Sequence, residues 1–214
     1  MAERTGGIRA PLSSARVYSA FVGLVGGGSR GKRRFVDEYL RPKPGDEVLD
    51  IGCGPAAILE SMPTDVYYVG IDVSPTYVAA ARRRFGDRAE FRCADVREAD
   101  LPARSFDLVL AMGVLHHLDD EGARALLRLA ARVLRDEGRM VTLDGAFVSD
   151  QSRLARWVVS RDRGTSIRSP SGYEALAEPF FAKVEQTIRH DLVRIPYTHS
   201  IMRCSAPRRE GPGS

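Results

Sequence analysis

EVLDIGCGPAA, residues 47–57, has the form of a buried strand running into a ligand-binding turn. The apolar run closes on an acid, Asp50, and is followed by Gly52, Gly54 and small residues that predict the opening of a helix. A strand, tight turn and helix in that order bring a ligand onto backbone N–H groups. Glycine lacks a Cβ, so the turn can take positive φ and a cofactor can approach closely. Asp50 discriminates between cofactors, because a carboxylate ahead of the loop repels a pyrophosphate and favours a ligand carrying an ammonium group.

Outward from this loop the pattern alternates. Strands are predicted at 47–51, 67–71, 89–93, 106–111 and 139–143, each an apolar or β-branched run. Between them, Ser74 reads as an N-cap ahead of Pro75, with Gly86 just past the end of that helix. A second helix follows Asp119 and Asp120, where Leu126, Leu127, Ala130, Val133 and Leu134 make an apolar stripe before Gly138. Near-continuous apolar strands separated by helices predict an α/β fold, a doubly wound Rossmann-like and mostly parallel sheet. On the N-terminal side, 15–25 reads as a short helix, GGGSRG at 26–31 as a break and 32–40 as a second helix. On the C-terminal side come a helix at 151–160, an arginine-rich loop at 161–170, a short helix at 171–177 and closing strands at 182–188 and 198–204. The short connection between those strands favours an antiparallel pair, giving a seven-stranded sheet with an antiparallel C-terminal strand. The expected organisation is an N-terminal helical cap at 1–35, one ligand-binding domain at 36–205 with an insertion around 145–178, and a loose tail at 206–214.

Composition narrows the function. The chain has 214 residues and a formal net charge of +4, and its only lysines are Lys32, Lys43 and Lys183. The positive charge is spread along the chain without a basic run interleaved with aromatics, so no nucleic-acid partner is expected. Cys53, Cys93 and Cys204 have no metal-ligand spacing, and no metal is expected. With no secretory segment and no long apolar run, the reading is a cytoplasmic protein without membrane insertion, a monomer or a homodimer. Cys53 reads as a small buried thiol rather than a nucleophile.

In open α/β sheets ligands bind beyond the carboxyl ends of the strands. Asp50, Asp72 and Asp95 fall at or just past three successive strand ends, and Met112, Gly113 and Val114 follow the fourth. Asp72 stands where an acid grips ribose hydroxyls in dinucleotide folds, so the cofactor reads as a nucleoside. GCGPAA also satisfies the dinucleotide fingerprint, which keeps a nicotinamide-dependent reductase open. Each acid also has a plainer reading: Asp72 as a cap for the following helix, Asp95 as a turn residue, Asp50 as a brace for the loop.

As a set, EVLDIGCG, VGIDVSPTYVAAARRRF, FRCADV and FDLVLAMGVLHHLDD resemble the class I S-adenosylmethionine-dependent methyltransferase family, in family order and spacing across 36–143. The resemblance implies S-adenosyl-L-methionine as cofactor. Asp50, Ile51, Gly52, Cys53 and Gly54 would hold its methionine end, Asp72 and Val73 the ribose, and Ala94, Asp95 and Val96 the adenine. Met112, Gly113, Val114 and His117 would close the other side. Pro55-Ala56 departs from the family, many members of which carry a third glycine there.

Methyl transfer from a sulfonium needs alignment and desolvation, and a base only where the acceptor loses a proton. Candidates are His117, His116 and Asp144, after the fourth and fifth strands. Tyr18, Phe21, Trp157, Tyr173, His190, Tyr197 and His199 are candidate walls of the acceptor site. Arg161, Arg163 and Arg168 are candidates to bind an anionic acceptor group. The expected activity is methylation of an oxygen or nitrogen of a small molecule, such as a natural product, a sugar or a lipid-linked intermediate. A non-catalytic nucleoside-binding regulatory protein is the alternative from another class.

Overall fold

The structure, a computed structural model, describes residues 28–162 and 164–209. Its centre is a seven-stranded sheet in the order β3-β2-β1-β4-β5-β7-β6. The strands are β1 (Glu47–Ile51), β2 (Tyr67–Asp72), β3 (Ala89–Cys93), β4 (Phe106–Met112), β5 (Leu134–Gly145), β6 (Phe181–Arg189) and β7 (His199–Pro207). The first five pair in parallel, while β7 runs antiparallel to both β5 and β6. This is the expected doubly wound sheet, and its order reverses between β1 and β4.

Alternation within the apolar runs builds a core on each face. Leu49, Ile51, Val109 and Ala111 point to one side with Leu126, Leu127 and Ala130 of α3 (Asp120–Val133) and Tyr173 and Leu176 of α5 (Pro170–Ala177). Val48, Leu108 and Leu110 point to the other, with Phe35 of α1 (Gly28–Phe35) and Val78 and Ala81 of α2 (Pro75–Phe85). Ser74 caps α2 through a bond from the Tyr77 amide, with Pro75 at the first turn, as expected.

Several boundaries differ from expectation. Gly28 to Gly31 lie in α1, which continues into a π-helical segment, Val36–Leu40, rather than breaking the chain. Burial of Phe35, Val36 and Leu40 and the i,i+4 pairs Arg33–Asp37 and Arg34–Glu38 outweigh the glycine cost. The glycine loop opens into a short 3-10 turn, Ala57–Ser61, not an α-helix. Leu134 starts β5 instead of ending α3, and β5 begins five residues before the predicted strand. Helix α4 spans Arg153–Ser160. Of the residues read as tail, 206 and 207 end β7 and the next two pack back: the Arg208 amide donates to the Phe180 carbonyl, and the Arg209 guanidinium reaches Ala131, Leu134 and Asp136. The predicted helix at 15–25, with Tyr18 and Phe21, lies outside the described residues. Among the described residues no helix is long and apolar enough to cross a membrane.

Candidate active site

The parallel strands deliver Asp50, Gly52, Asp72, Asp95 and Met112 to the carboxyl edge of the sheet. There the loop after β1 folds tightly. Gly52 has φ +70, and a Cβ on it would lie 2.6 Å from Val114 Cγ2, so the loops after β1 and β4 close on each other only because residue 52 is glycine. Ala56 takes a left-handed φ of 56 where the family resemblance had marked a departure.

The loop's N–H groups are already engaged. Gly52 and Cys53 donate to the Ile71 carbonyl at 2.8 and 3.1 Å, Gly54 donates to Asp72 Oδ2 at 2.9 Å, and Ala56 donates to Cys53 at 2.9 Å. Pro55 has none. With its donors spoken for and a five-residue 3-10 turn in place of an α-helix, the loop lacks the cradle that a pyrophosphate requires. This weighs against the nicotinamide reading.

Asp72 accepts from Gly54 N on Oδ2 and from Ser74 N at 2.8 Å on Oδ1. A carboxylate offers about four lone-pair positions, so one on each oxygen stays open, the pattern that two vicinal hydroxyls need. Burial raises its pKa, opposed by the Ser74 and Gly54 amides. Beside it Val73 is 66% exposed, an apolar side chain uncovered at a strand end. Past β3, Arg97 grips Asp95 through its backbone N at 2.9 Å and its guanidinium at 3.0 and 2.7 Å, holding the carboxyl down at about 2. Three of its lone-pair positions are filled and one is left for a donor. Its chain neighbours Ala94 and Val96 are half-buried, as is Met112 at the end of β4.

Asp50 is buried and accepts a hydrogen bond from the Tyr68 hydroxyl. Burial pushes its pKa up to about 7, with Tyr68 opposing and the Asp72 charge adding. Tyr68 was not singled out from the sequence. Register supplies the signal: Asp50 pairs with Gly70, and a side chain two residues earlier on β2 shares its face. Cys53 is buried, with its thiol pKa raised chiefly by burial, as a packing residue's would be.

A second polar group lies beyond β4 and β5. His116, buried in the turn Leu115–His117, sets Nδ1 2.8 Å from Asp144 Oδ1, which also accepts the His116 amide at 3.2 Å. Its Nε2 faces Asp162 Oδ1 at 3.6 Å, an ion-pair separation too long for a hydrogen bond. Burial alone would lower the His116 pKa, but Asp144 and Asp162 outweigh it and hold the ring up at about 9. The imidazole is therefore a buried cation at neutral pH, not a base poised to take a proton. Asp162 accepts from the Tyr197 hydroxyl and the Gly164 amide, and its pKa lies well below the usual carboxylate range. A Cβ on Gly164 would sit 2.3 Å from the His116 ring, so glycine is what lets this loop reach the histidine. His117 is exposed, its ring 4.1 Å from that of His116. Asp144 Oδ2 is buried without a partner among the described residues. Asp162, like Tyr68, was missed, because it comes to His116 from 46 residues away through a loop that the sequence marks only by its arginines.

The aromatic candidates divide. Tyr173 is core: 2% exposed, it donates to the Gly145 carbonyl at 2.9 Å. Trp157 is exposed on α4 under the Arg161 guanidinium. Tyr197 and His199 stack at 4.6 Å near Asp162, and burial lowers the His199 pKa to about 4. His190 bonds the Thr198 hydroxyl. Arg168 is no anion receptor: it spends its guanidinium on the Leu115, Leu118 and Ser166 carbonyls and on Asp120, stapling the insertion to the loop after β4.

Comparison with known proteins agrees with this architecture. Residues 48–138 match a methyltransferase-domain family model. The chain is 39% identical over 119 residues to 27-O-demethylrifamycin SV methyltransferase of Amycolatopsis mediterranei, covering 52% of this chain and 43% of that protein. It is 32% identical over 154 residues to demethylmenaquinone methyltransferase of Tropheryma whipplei, covering 68% and 63%. The chain thus spans about half the length of the curated relatives it matches. Among solved structures, phosphoethanolamine N-methyltransferase 2 of Haemonchus contortus, in complex with phosphomonomethylethanolamine and S-adenosylhomocysteine, superposes with a TM-score of 0.75 at 16% identity, covering 94% of this chain and 59% of that one. Strand-end acids, sheet order and these relatives together place the chain in the class I S-adenosylmethionine-dependent methyltransferase family.

Proposed function

We propose that the chain methylates an oxygen or nitrogen of a small-molecule acceptor, with S-adenosyl-L-methionine supplying the methyl group as a sulfonium. The observation that carries this reading is the Asp72 carboxylate, held by two amides with one position open on each oxygen beside the uncovered Val73. That arrangement fits a ribose with an apolar base next to it. Asp50, Ile51, Gly52, Cys53 and Gly54 take the methionine end, where the buried Asp50 carboxylate favours an ammonium group. Ala94, Asp95 and Val96 take the adenine, Asp95 through its remaining lone pair, and Met112, Gly113 and Val114 close the far side.

The residues beyond β4 and β5 then face the acceptor. His116 and Asp144 are bound to each other and hold the insertion in place, which leaves the exposed His117 to take a proton from an acceptor that must lose one. Tyr197, His199 and Trp157 contribute to the acceptor wall, while Tyr173 supports it from the core. An oxygen or nitrogen acceptor is supported by relatives that include O- and N-methyltransferases. The test is incubation of the full chain with methyl-labelled S-adenosylmethionine and a small-molecule extract. Label entering a small molecule is the expected result. Cofactor binding with no transfer to any acceptor would instead favour a regulatory nucleoside-binding protein.

A further inference from the structure

We infer that His116, His117 and Asp162 form a binding site for a divalent d-block cation such as Zn2+, with Asp144 orienting His116 from behind. One ligand atom from each of the three lies within 4.8 Å of the other two. Ligand atoms about 2.1 Å from a tetrahedral cation stand about 3.4 Å apart, and His116 Nε2 and Asp162 Oδ1 are 3.6 Å apart. That separation is too long for a hydrogen bond and close to what two ligands of one cation require. The exposed His117 ring lies 4.1 Å from that of His116, with a ring nitrogen within 4.8 Å of both other ligand atoms.

The support behind His116 has the matching chemistry. A metal-binding histidine characteristically gives its other ring N–H to a carboxylate, which fixes the tautomer and raises the ring's basicity. Asp144 does this at 2.8 Å, leaving Nε2 directed at Asp162. Charge points the same way. Two carboxylates, Asp144 and Asp162, face a single imidazole in a largely buried group. A proton on Nε2 neutralises one of the two charges, whereas a dication at that position neutralises both. Two imidazoles and a carboxylate suit zinc or its neighbours better than magnesium or calcium, which prefer all-oxygen shells.

This inference deepens the proposed methyl transfer. Three protein ligands leave at least one coordination position, and an acceptor hydroxyl there would be acidified, so His117 would act as a ligand rather than as the base. Cation binding itself does not depend on the reaction.

Chelator-treated full chain is titrated with Co2+ and followed by visible absorption, and with Zn2+ by calorimetry in two buffers of different ionisation enthalpy. One cation per chain, an intense tetrahedral Co2+ spectrum and net proton release at pH 7 are expected. His117→Ala and Asp162→Asn, each checked for cooperative unfolding, should weaken binding at least 10-fold. Absence of 1:1 binding, or affinity unchanged in both variants, overturns the site. S-adenosylhomocysteine calorimetry on the same sample separates this failure from failure of the methyltransferase reading, because cofactor binding without cation binding removes only the metal site.

Discussion

Replacing Asp162 with Asn should change how stability depends on pH, not merely lower it. Held at about 9 against 6.5 for an unperturbed histidine, the buried His116 contributes about 3 kcal/mol to folding when protonated. A raised pKa places that contribution in full below about pH 6.5 and removes it as pH climbs towards 9. The groups facing the ring are Asp144 from β5, Asp162 and Gly164 from the loop after α4, and His117 beside it, with Tyr197 reaching Asp162. Asp162→Asn keeps an acceptor for the Tyr197 hydroxyl and removes one of the two charges that hold His116 up. Because burial opposes the two carboxylates, losing one of them should remove more than half of that roughly 3 kcal/mol. Urea unfolding of wild type and variant at pH 6.5, 7.5, 8.5 and 9.5, with chelator present, measures it. The other titrating groups, including Asp50 at about 7 and the buried thiols, are common to both proteins and cancel in the difference. The gap should be widest at pH 6.5 and close by pH 9.5. A gap that stays constant across this range would refute the buried imidazolium.

Asp72→Asn should weaken S-adenosylhomocysteine binding by roughly 1 to 3 kcal/mol, because an amide turns two donors towards groups that now meet a carboxylate; unchanged calorimetric affinity in a folded variant counts against the ribose assignment. Gly52→Ala combines a strained φ of +70 with a Cβ 2.6 Å from Val114 and should abolish cofactor binding, with Val114→Ala restoring only the steric share. Asp50, with a pKa of about 7, is about half protonated at pH 7. An ammonium group brought near it should expel up to about half a proton per cofactor bound, read from calorimetry in two buffers, and Asp50→Asn should silence that release.

The residues that carry local chemistry were readable before the fold was known. β1, the Ser74 cap and the strand-end acids each follow from neighbours in sequence, and the sheet placed them together as expected. What escaped reading was non-local. Leu134 continues the helical stripe of α3, yet it pairs with Phe106 and starts β5, and no periodicity within the segment distinguishes the two. The glycines at 28 and 31 look like a break until burial of Phe35 and Leu40 is added. Tyr173 resembles a pocket aromatic in sequence and is a core residue bonded to the end of β5. The pairing of His116 with Asp162 depends on a loop crossing over the strand ends, so composition and spacing could nominate the histidine and not its partner.

Methyl transfer from S-adenosylmethionine requires the loop after β1 to serve a nucleoside with an amino acid end instead of a diphosphate. Parallel calorimetric titrations of the same protein with S-adenosylhomocysteine and NADH test it most directly. Saturable 1:1 binding of S-adenosylhomocysteine with no heat from NADH is the expected outcome. Binding of NADH, or silence towards S-adenosylhomocysteine, would contradict it.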